Sequence, residues 1–164
     1  MRERYLSICV PCGDTVKTEF SHSLAQLTAA LNADNVNVHL HMLKGSLIAG
    51  QRERLADCAR TSGSCEILWL DSDMKFPKDL YKRLRAHNRA IVGTAYSRKD
   101  DGGHSTAMID HDGRIEFVSE GTGLRRVDAF GFGAVLMDIS VFDGLPRPWF
   151  NTSYNYEYDY HNGE

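Results

Sequence analysis

The sequence predicts a three-layer α/β protein built on a mostly parallel central sheet. Two observations carry that reading. Short apolar runs bounded by turn residues alternate with segments whose apolar residues recur at helical spacing, in the order β-α-β-α-β-α-β through Gly93 with short connections. The third run, Ile67-Leu68-Trp69-Leu70, carries no interior charge, as expected of a strand covered on both faces. A length of 164 residues suffices for one domain with its own core, and 42% hydrophobic and 25% charged residues are ordinary for a globular chain.

Tyr5 to Val10 reads as the first strand, and Pro11-Cys12-Gly13-Asp14 as the loop after it. Phe20, Leu24, Leu27 and Leu31 predict an amphipathic helix from about Thr18 to Leu31. Val36, Val38, Leu40 and Met42 then alternate with Asn37, His39 and His41, the period of a strand. Gly45-Ser46 breaks it, and Ser46 is expected to cap a helix with Ile48, Leu55 and Ala59 on its inner side. Arg52 and Arg54 fall on that helix or at its start. Thr61 to Ser64 is a loop before the strand that ends at Leu70. Pro77 suits the first turn of a third helix carrying Leu80 and Leu84, and Ala90 to Gly93 form another short strand.

The second half changes character. Thr94 to Ser105 are polar and glycine-containing, a long loop. Thr106–Ile109 and Arg114–Val118 flank Asp110-His111-Asp112-Gly113, a hairpin signal. Gly131-Phe132-Gly133 precedes Ala134–Met137, which reads as a buried strand with glycines where the backbone must approach something closely. The tail carries Pro148-Trp149-Phe150 and Tyr154, Tyr156, Tyr158 and Tyr160.

A net charge of -3 with scattered basic residues gives no nucleic-acid footprint. No stretch approaches the length of a membrane span, and the start has no apolar signal region, so a cytoplasmic setting is expected. Cys9 and Cys12 have C-x-x-C spacing but straddle a strand end and a loop, where a dithiol oxidoreductase would start a helix. Cys58 and Cys65 are not at zinc-knuckle spacing.

The chemistry centres on Asp71-Ser72-Asp73, directly after the apolar third strand. In an extended segment Asp71 and Asp73 share a face and Ser72 points away. Two carboxylates on one face repel unless a cation or a hydroxyl separates them. A hard divalent metal with oxygen ligands would satisfy them and keep room for phosphate oxygens. Carboxyl ends of strands are where open α/β sheets bind ligands. The blander alternative is that the aspartates end the strand and cap the turn before Pro77.

Together these residues resemble GT-A-fold nucleotide-sugar glycosyltransferases, particularly the family 2-like bacterial and phage enzymes. The likeness runs from Ser7-Ile8-Cys9-Val10-Pro11 to the tail. It centres on the stretch Glu66 to Pro77, which looks like the group's apolar strand, D-x-D and proline signature. Ala90 to Tyr96 resembles the strand that follows, and Gly131 to Met137 the glycine-flanked acceptor-side strand.

The resemblance implies one GT-A-like domain over 1–164, with a nucleotide-binding half of about 1–99 and an acceptor-side half of about 100–164. It implies transfer of a hexosyl group from a UDP- or GDP-sugar to a hydroxyl of a glycan, lipid or protein acceptor. Asp73 would coordinate Mn²⁺ or Mg²⁺ bridging the donor diphosphate. Asp71 would contact the ribose or the metal through water, with Ser72 in the same nucleotide-sugar site. Pro11, Cys12, Gly13 and Asp14 would form part of the base pocket, Arg52 would lie near base or phosphates, and His161 would be a further metal ligand. Gly131, Phe132, Gly133 and Trp149 would line the acceptor side. For an inverting enzyme Glu164 is the first candidate base, with Asp159 and Glu157 next. In such enzymes a Glu-Asp pair often follows the acceptor strand. Tyr160 to Glu164 resembles the approach to that pair and the sequence ends there, the pattern of a truncated or minimal form or of a base supplied elsewhere. Two alternatives stand beside this reading. One is a non-catalytic nucleotide-sugar-binding relic of the fold. The other is a haloacid-dehalogenase-like phosphatase, which also uses two aspartates after a strand but is poorly matched by Met74-Lys75.

Overall fold

The structure, a computed structural model, describes residues 5–96, 105–118 and 123–151. Its elements follow the alternation in the sequence. Strand β1 (Tyr5–Cys12), helix α1 (Thr18–Ala33), β2 (Asn37–Lys44), α2 (Ile48–Thr61), β3 (Glu66–Leu70), α3 (Leu80–Ala86) and β4 (Ile91–Gly93) come first. A hairpin of β5 (Met108–His111) and β6 (Arg114–Phe117), then β7 (Ala134–Asp138) and a 3-10 turn (Ile139–Gly144), complete the order.

The central sheet runs β2-β1-β3-β7-β4. β1 pairs in parallel with both β2 and β3, with Ser7 opposite His39 and Ile67. β7 is antiparallel to β3 and to β4, so four strands share one direction and β7 runs against them. An apolar run reads the same in either direction, so its orientation was not encoded in local pattern. β7 can enter antiparallel because such pairing needs no helical crossover.

Period-two alternation sorts the core into two layers. Leu6, Ile8, Val10, Leu68, Leu70 and Leu136 pack with Phe20, Leu27 and Leu31 of α1 and Leu80 and Leu84 of α3. Cys9, Ile67, Trp69, Val135 and Met137 pack on the other side with Leu55, Ala56 and Ala59 of α2 and with Phe142. The result is an α-β-α arrangement in which β1 and β3 are covered on both faces, as their unbroken apolar runs require.

Element starts depart from the sequence reading. Leu47, not Ser46, is the residue before α2, and no side chain caps that helix. α3 starts three residues after Pro77, whose carbonyl accepts the Leu80 N–H at 3.1 Å. The hairpin turn narrows to Asp112-Gly113, with His111 opposite Arg114. Both turn residues have positive φ, 53° and 92°, the geometry a two-residue type I′ turn demands. The Asp110 carboxylate accepts the Gly113 N–H at 2.7 Å and holds the turn. Of the expected loop Thr94 to Ser105, residues 97–104 lie outside the described residues.

Because β1 and β3 are parallel neighbours, their carboxyl ends leave the sheet at one edge. That edge carries both Pro11-Cys12-Gly13 and Asp71-Ser72-Asp73.

Candidate functional site

Those two strand ends and the start of α2 enclose a cleft of about 270 Å³. Pro11, Cys12 and Gly13 line it from β1, and Asp71, Ser72 and Asp73 from β3. Gly45, Ser46, Ile48 and Gln51 close it from the β2–α2 side. Buried Gln51 builds this wall. Its Nε2 donates to the carbonyls of Cys12 (2.7 Å) and Leu43 (2.6 Å), clamping the ends of β1 and β2 together. Asp14, expected in the base pocket, is exposed on the rim and paired with Lys44.

Beyond Leu70 the chain does not stay extended. The Asp71 carbonyl accepts the Met74 N–H at 3.1 Å, closing a turn, and the Asp71 N–H donates to the Gly133 carbonyl at 2.9 Å. The strict alternation expected for Asp71 to Asp73 is therefore lost. Ser72, expected to point away, lines the cleft with both aspartates. Its carbonyl accepts the Lys17 N–H at 3.3 Å, tying the turn to the start of α1.

Arg52 reaches this turn from α2. Its Nη2 donates to Asp71 Oδ1 at 3.0 Å, with the two side chains 17% and 31% exposed. Its guanidinium lies 4.6 Å from the centroid of the Phe132 ring. Arg52 Nε is buried and has no hydrogen-bond partner among the described residues. The pairing offsets part of the repulsion between the two carboxylates and fixes the orientation of Asp71.

Phe132 packs on Trp69 and Phe150 at centroid distances of 5.6 and 5.7 Å, while Gly131 and Gly133 lie against Tyr96. Tyr96 Oη accepts the Gly133 N–H at 3.1 Å. Burial chiefly, and then the carboxylates of Asp71 and Asp73, push this phenol above its ordinary range, against the Gly133 hydrogen bond and Arg52. Sequence reasoning missed Tyr96 as a site residue. The Gly-x-Gly spacing signalled a close approach but not which group makes it.

Trp149 lies elsewhere, on the α2 layer. Its ring packs on Phe142 at 4.7 Å with Arg147 at 4.0 Å, and its N–H donates to Glu53 at 2.8 Å. It is not among the cleft-lining residues. Glu157, Asp159, His161 and Glu164 lie outside the described residues. Arg54, on α2, is not among the cleft-lining residues. His39 and His41 stack on β2, and His41 Nε2 bonds Ser7 Oγ at 3.1 Å, away from the cleft. All four cysteines are free, and burial, then Cys58, pushes the Cys9 thiol far up, which leaves it inert.

Among the described residues no group of three or more His, Cys, Asp or Glu stands together to hold a metal ion. The cleft offers the carboxylates of Asp71 and Asp73. A pair of hard oxygen donors fits Mg²⁺ or Mn²⁺ in the mode where water and phosphate oxygens complete the shell.

No protein-family model matches the sequence, and no curated protein matches it. Solved structures do match. The crystal structure of A197 from STIV is 17% identical, with a TM-score of 0.60 over 91% of this chain and 72% of that one. At that identity the likeness is one of fold. A 4-diphosphocytidyl-2C-methyl-D-erythritol synthase from Anaerococcus prevotii is 12% identical, with a TM-score of 0.48 over 85% of this chain and 72% of that one. No helix among the described residues is long and apolar enough to cross a membrane.

Proposed function

We propose that this chain is a metal-dependent glycosyltransferase that moves a sugar from a UDP- or GDP-sugar to an acceptor hydroxyl. One observation carries the reading. Asp71 and Asp73 stand in the same cleft as the carboxyl end of β1, at the ends of two adjacent parallel strands. A nucleoside diphosphate needs a concave site with apolar walls for the base and an anion-compensating group for the phosphates. Pro11 and Ile48 supply apolar wall, and the aspartates supply the means to hold a cation.

In this reading residues 1–99 bind the donor and 100–164 face the acceptor. Asp73, with Asp71, would hold Mn²⁺ or Mg²⁺, and His161 would add a ligand. When bound, such an ion neutralises charge on the departing nucleoside diphosphate. Arg52 keeps Asp71 turned into the site, and Gln51 keeps the base wall in place. Gly131, Phe132 and Gly133 border the acceptor side, with Trp149 beyond them. A carboxylate of the tail, Glu164 first, then Asp159 or Glu157, takes the proton from the acceptor hydroxyl.

The test is a thermal-shift panel of UDP-, GDP- and dTDP-sugars with and without Mn²⁺. At least one donor raises the melting temperature only with the metal. A ligand at a hundred times its Kd stabilises by about 2.7 kcal/mol. Asp73→Ala abolishes that metal-dependent shift. An undiminished shift in Asp73→Ala removes the role given to Asp73. Binding with no release of free nucleotide under any acceptor assigns the chain to the non-catalytic alternative.

A further inference from the structure

Tyr96 is held in place by two glycines and is given no role by the reading above. A Cβ on Gly131 would stand 2.5 Å from Tyr96 Oη, closer than real Cβ atoms come. One on Gly133 would meet only Tyr96 among its nearest atoms, with Oη at 2.9 Å. The backbone after Ala129 thus keeps open a slot for this phenol.

The slot also fixes where the phenol oxygen sits. Oη accepts the Gly133 N–H at 3.1 Å, and the carbonyl of the same glycine accepts the Asp71 N–H at 2.9 Å. One residue therefore sets Tyr96 Oη against the first aspartate. Tyr96 is half-buried and within electrostatic reach of Asp71, Arg52 and Asp73. A phenol that accepts an N–H keeps its own O–H for donation. Among the described residues that proton meets no acceptor. An ordinary phenol is protonated at neutral pH, so the donor is present whenever a ligand arrives.

A neutral O–H donor within electrostatic reach of two carboxylates is matched to a negatively charged oxygen that enters with a cation. We infer that Tyr96 donates a hydrogen bond to a diphosphate oxygen of the bound nucleotide, from the slot that Gly131 and Gly133 leave for it. The inference rests on the reading of the cleft as a nucleoside diphosphate site. It makes Tyr96 a binding residue beside the cleft, joined to the Asp71 turn through Gly133.

Tyr96→Phe tests it, because the ring still fills the slot and only the oxygen is lost. Calorimetric titrations with Mn²⁺ and inorganic pyrophosphate, UDP, GDP and the donor sugar found in the thermal-shift panel supply the readout. The melting temperature without ligand is recorded alongside. The variant weakens binding of pyrophosphate and of the preferred nucleoside diphosphate by the same factor, about ten- to a hundred-fold, as for a hydrogen bond to a charged group. Its unliganded melting temperature stays close to that of the unaltered protein. Unchanged affinities overturn the inference, and a lowered melting temperature with intact affinities shows packing alone. A loss confined to the sugar-bearing donor overturns it too, since it moves the contact to the sugar. Failure of the unaltered protein to bind pyrophosphate or any nucleotide with Mn²⁺ instead defeats the reading of the cleft itself.

Discussion

Gly131 is a glycine for a steric reason. The nearest atoms to an added Cβ are Tyr96 Oη at 2.5 Å, Thr106 Cβ at 2.8 Å and Tyr96 Cζ at 2.8 Å. Gly131→Ala is expected to destabilise the fold by about 1–3 kcal/mol, the range for overpacking a filled site. Urea denaturation measures it. In the Tyr96→Phe background the cost shrinks, because the nearest atom is gone; strict additivity would show that the two residues do not share this slot. Residue types in the sequence pointed to parts of this arrangement. The paired aspartates and the Gly-x-Gly spacing stood out because both are unusual at a strand boundary. Their pairings did not. Arg52 meets Asp71 across 19 positions, and Gly133 meets Tyr96 across 37. The resemblance placed Arg52 near base or phosphates but not on Asp71, and nothing local marks Tyr96, since a tyrosine beside a polar loop is ordinary.

Elements were legible where one period dominated. β1, β3 and α1 follow apolar spacing closely, because burial of one or both faces dictates residue type, whereas β2 alternates in sequence yet leaves Leu40 and Met42 exposed. Helix starts were less so. Ser46 has the chemistry of a cap but serves the cleft wall, and α2 begins after Leu47 without one. The segment after the 3-10 turn shows another tertiary device that local pattern does not reveal. Glu53 of α2 accepts the N–H groups of Trp149 (2.8 Å) and Phe150 (3.2 Å). Arg147 pairs with Asp57 on the same helix and covers the Trp149 ring. Glu53 thus straps this segment, which leads to the residues given the catalytic role, onto α2. Glu53→Ala leaves two donors without their acceptor and is expected to cost about 1–3 kcal/mol in urea denaturation. Of the two tryptophans, Trp69 is 1% exposed and sits in the core. The fluorescence of the variant therefore shifts to the red through Trp149. An unshifted emission would show that Glu53 does not hold the segment.

At the scale of the whole molecule the sheet order explains why a site exists here. Placing β1 between β2 and β3, all parallel, brings the ends of β1 and β3 and the β2–α2 connection to one edge. Carboxyl ends so gathered leave a crevice that no strand or helix fills. The alternation of strands and helices made this architecture readable, because each βα unit can wind only one way. The antiparallel entry of β7 was not readable, yet it builds the surroundings of Asp71. It delivers Gly131, Phe132 and Gly133 to the end of β3, where they meet Arg52, Asp71 and Tyr96. The fold it shares with A197 from STIV covers nearly the whole chain, while the chemistry rests on the cleft alone. The most direct measurement is therefore anomalous diffraction at the manganese edge from crystals soaked with Mn²⁺ and UDP. The expected result is one anomalous peak against the Asp73 carboxylate, with diphosphate density on its far side and the base toward Pro11. Nucleotide density elsewhere, or manganese bound away from Asp71 and Asp73, would contradict it.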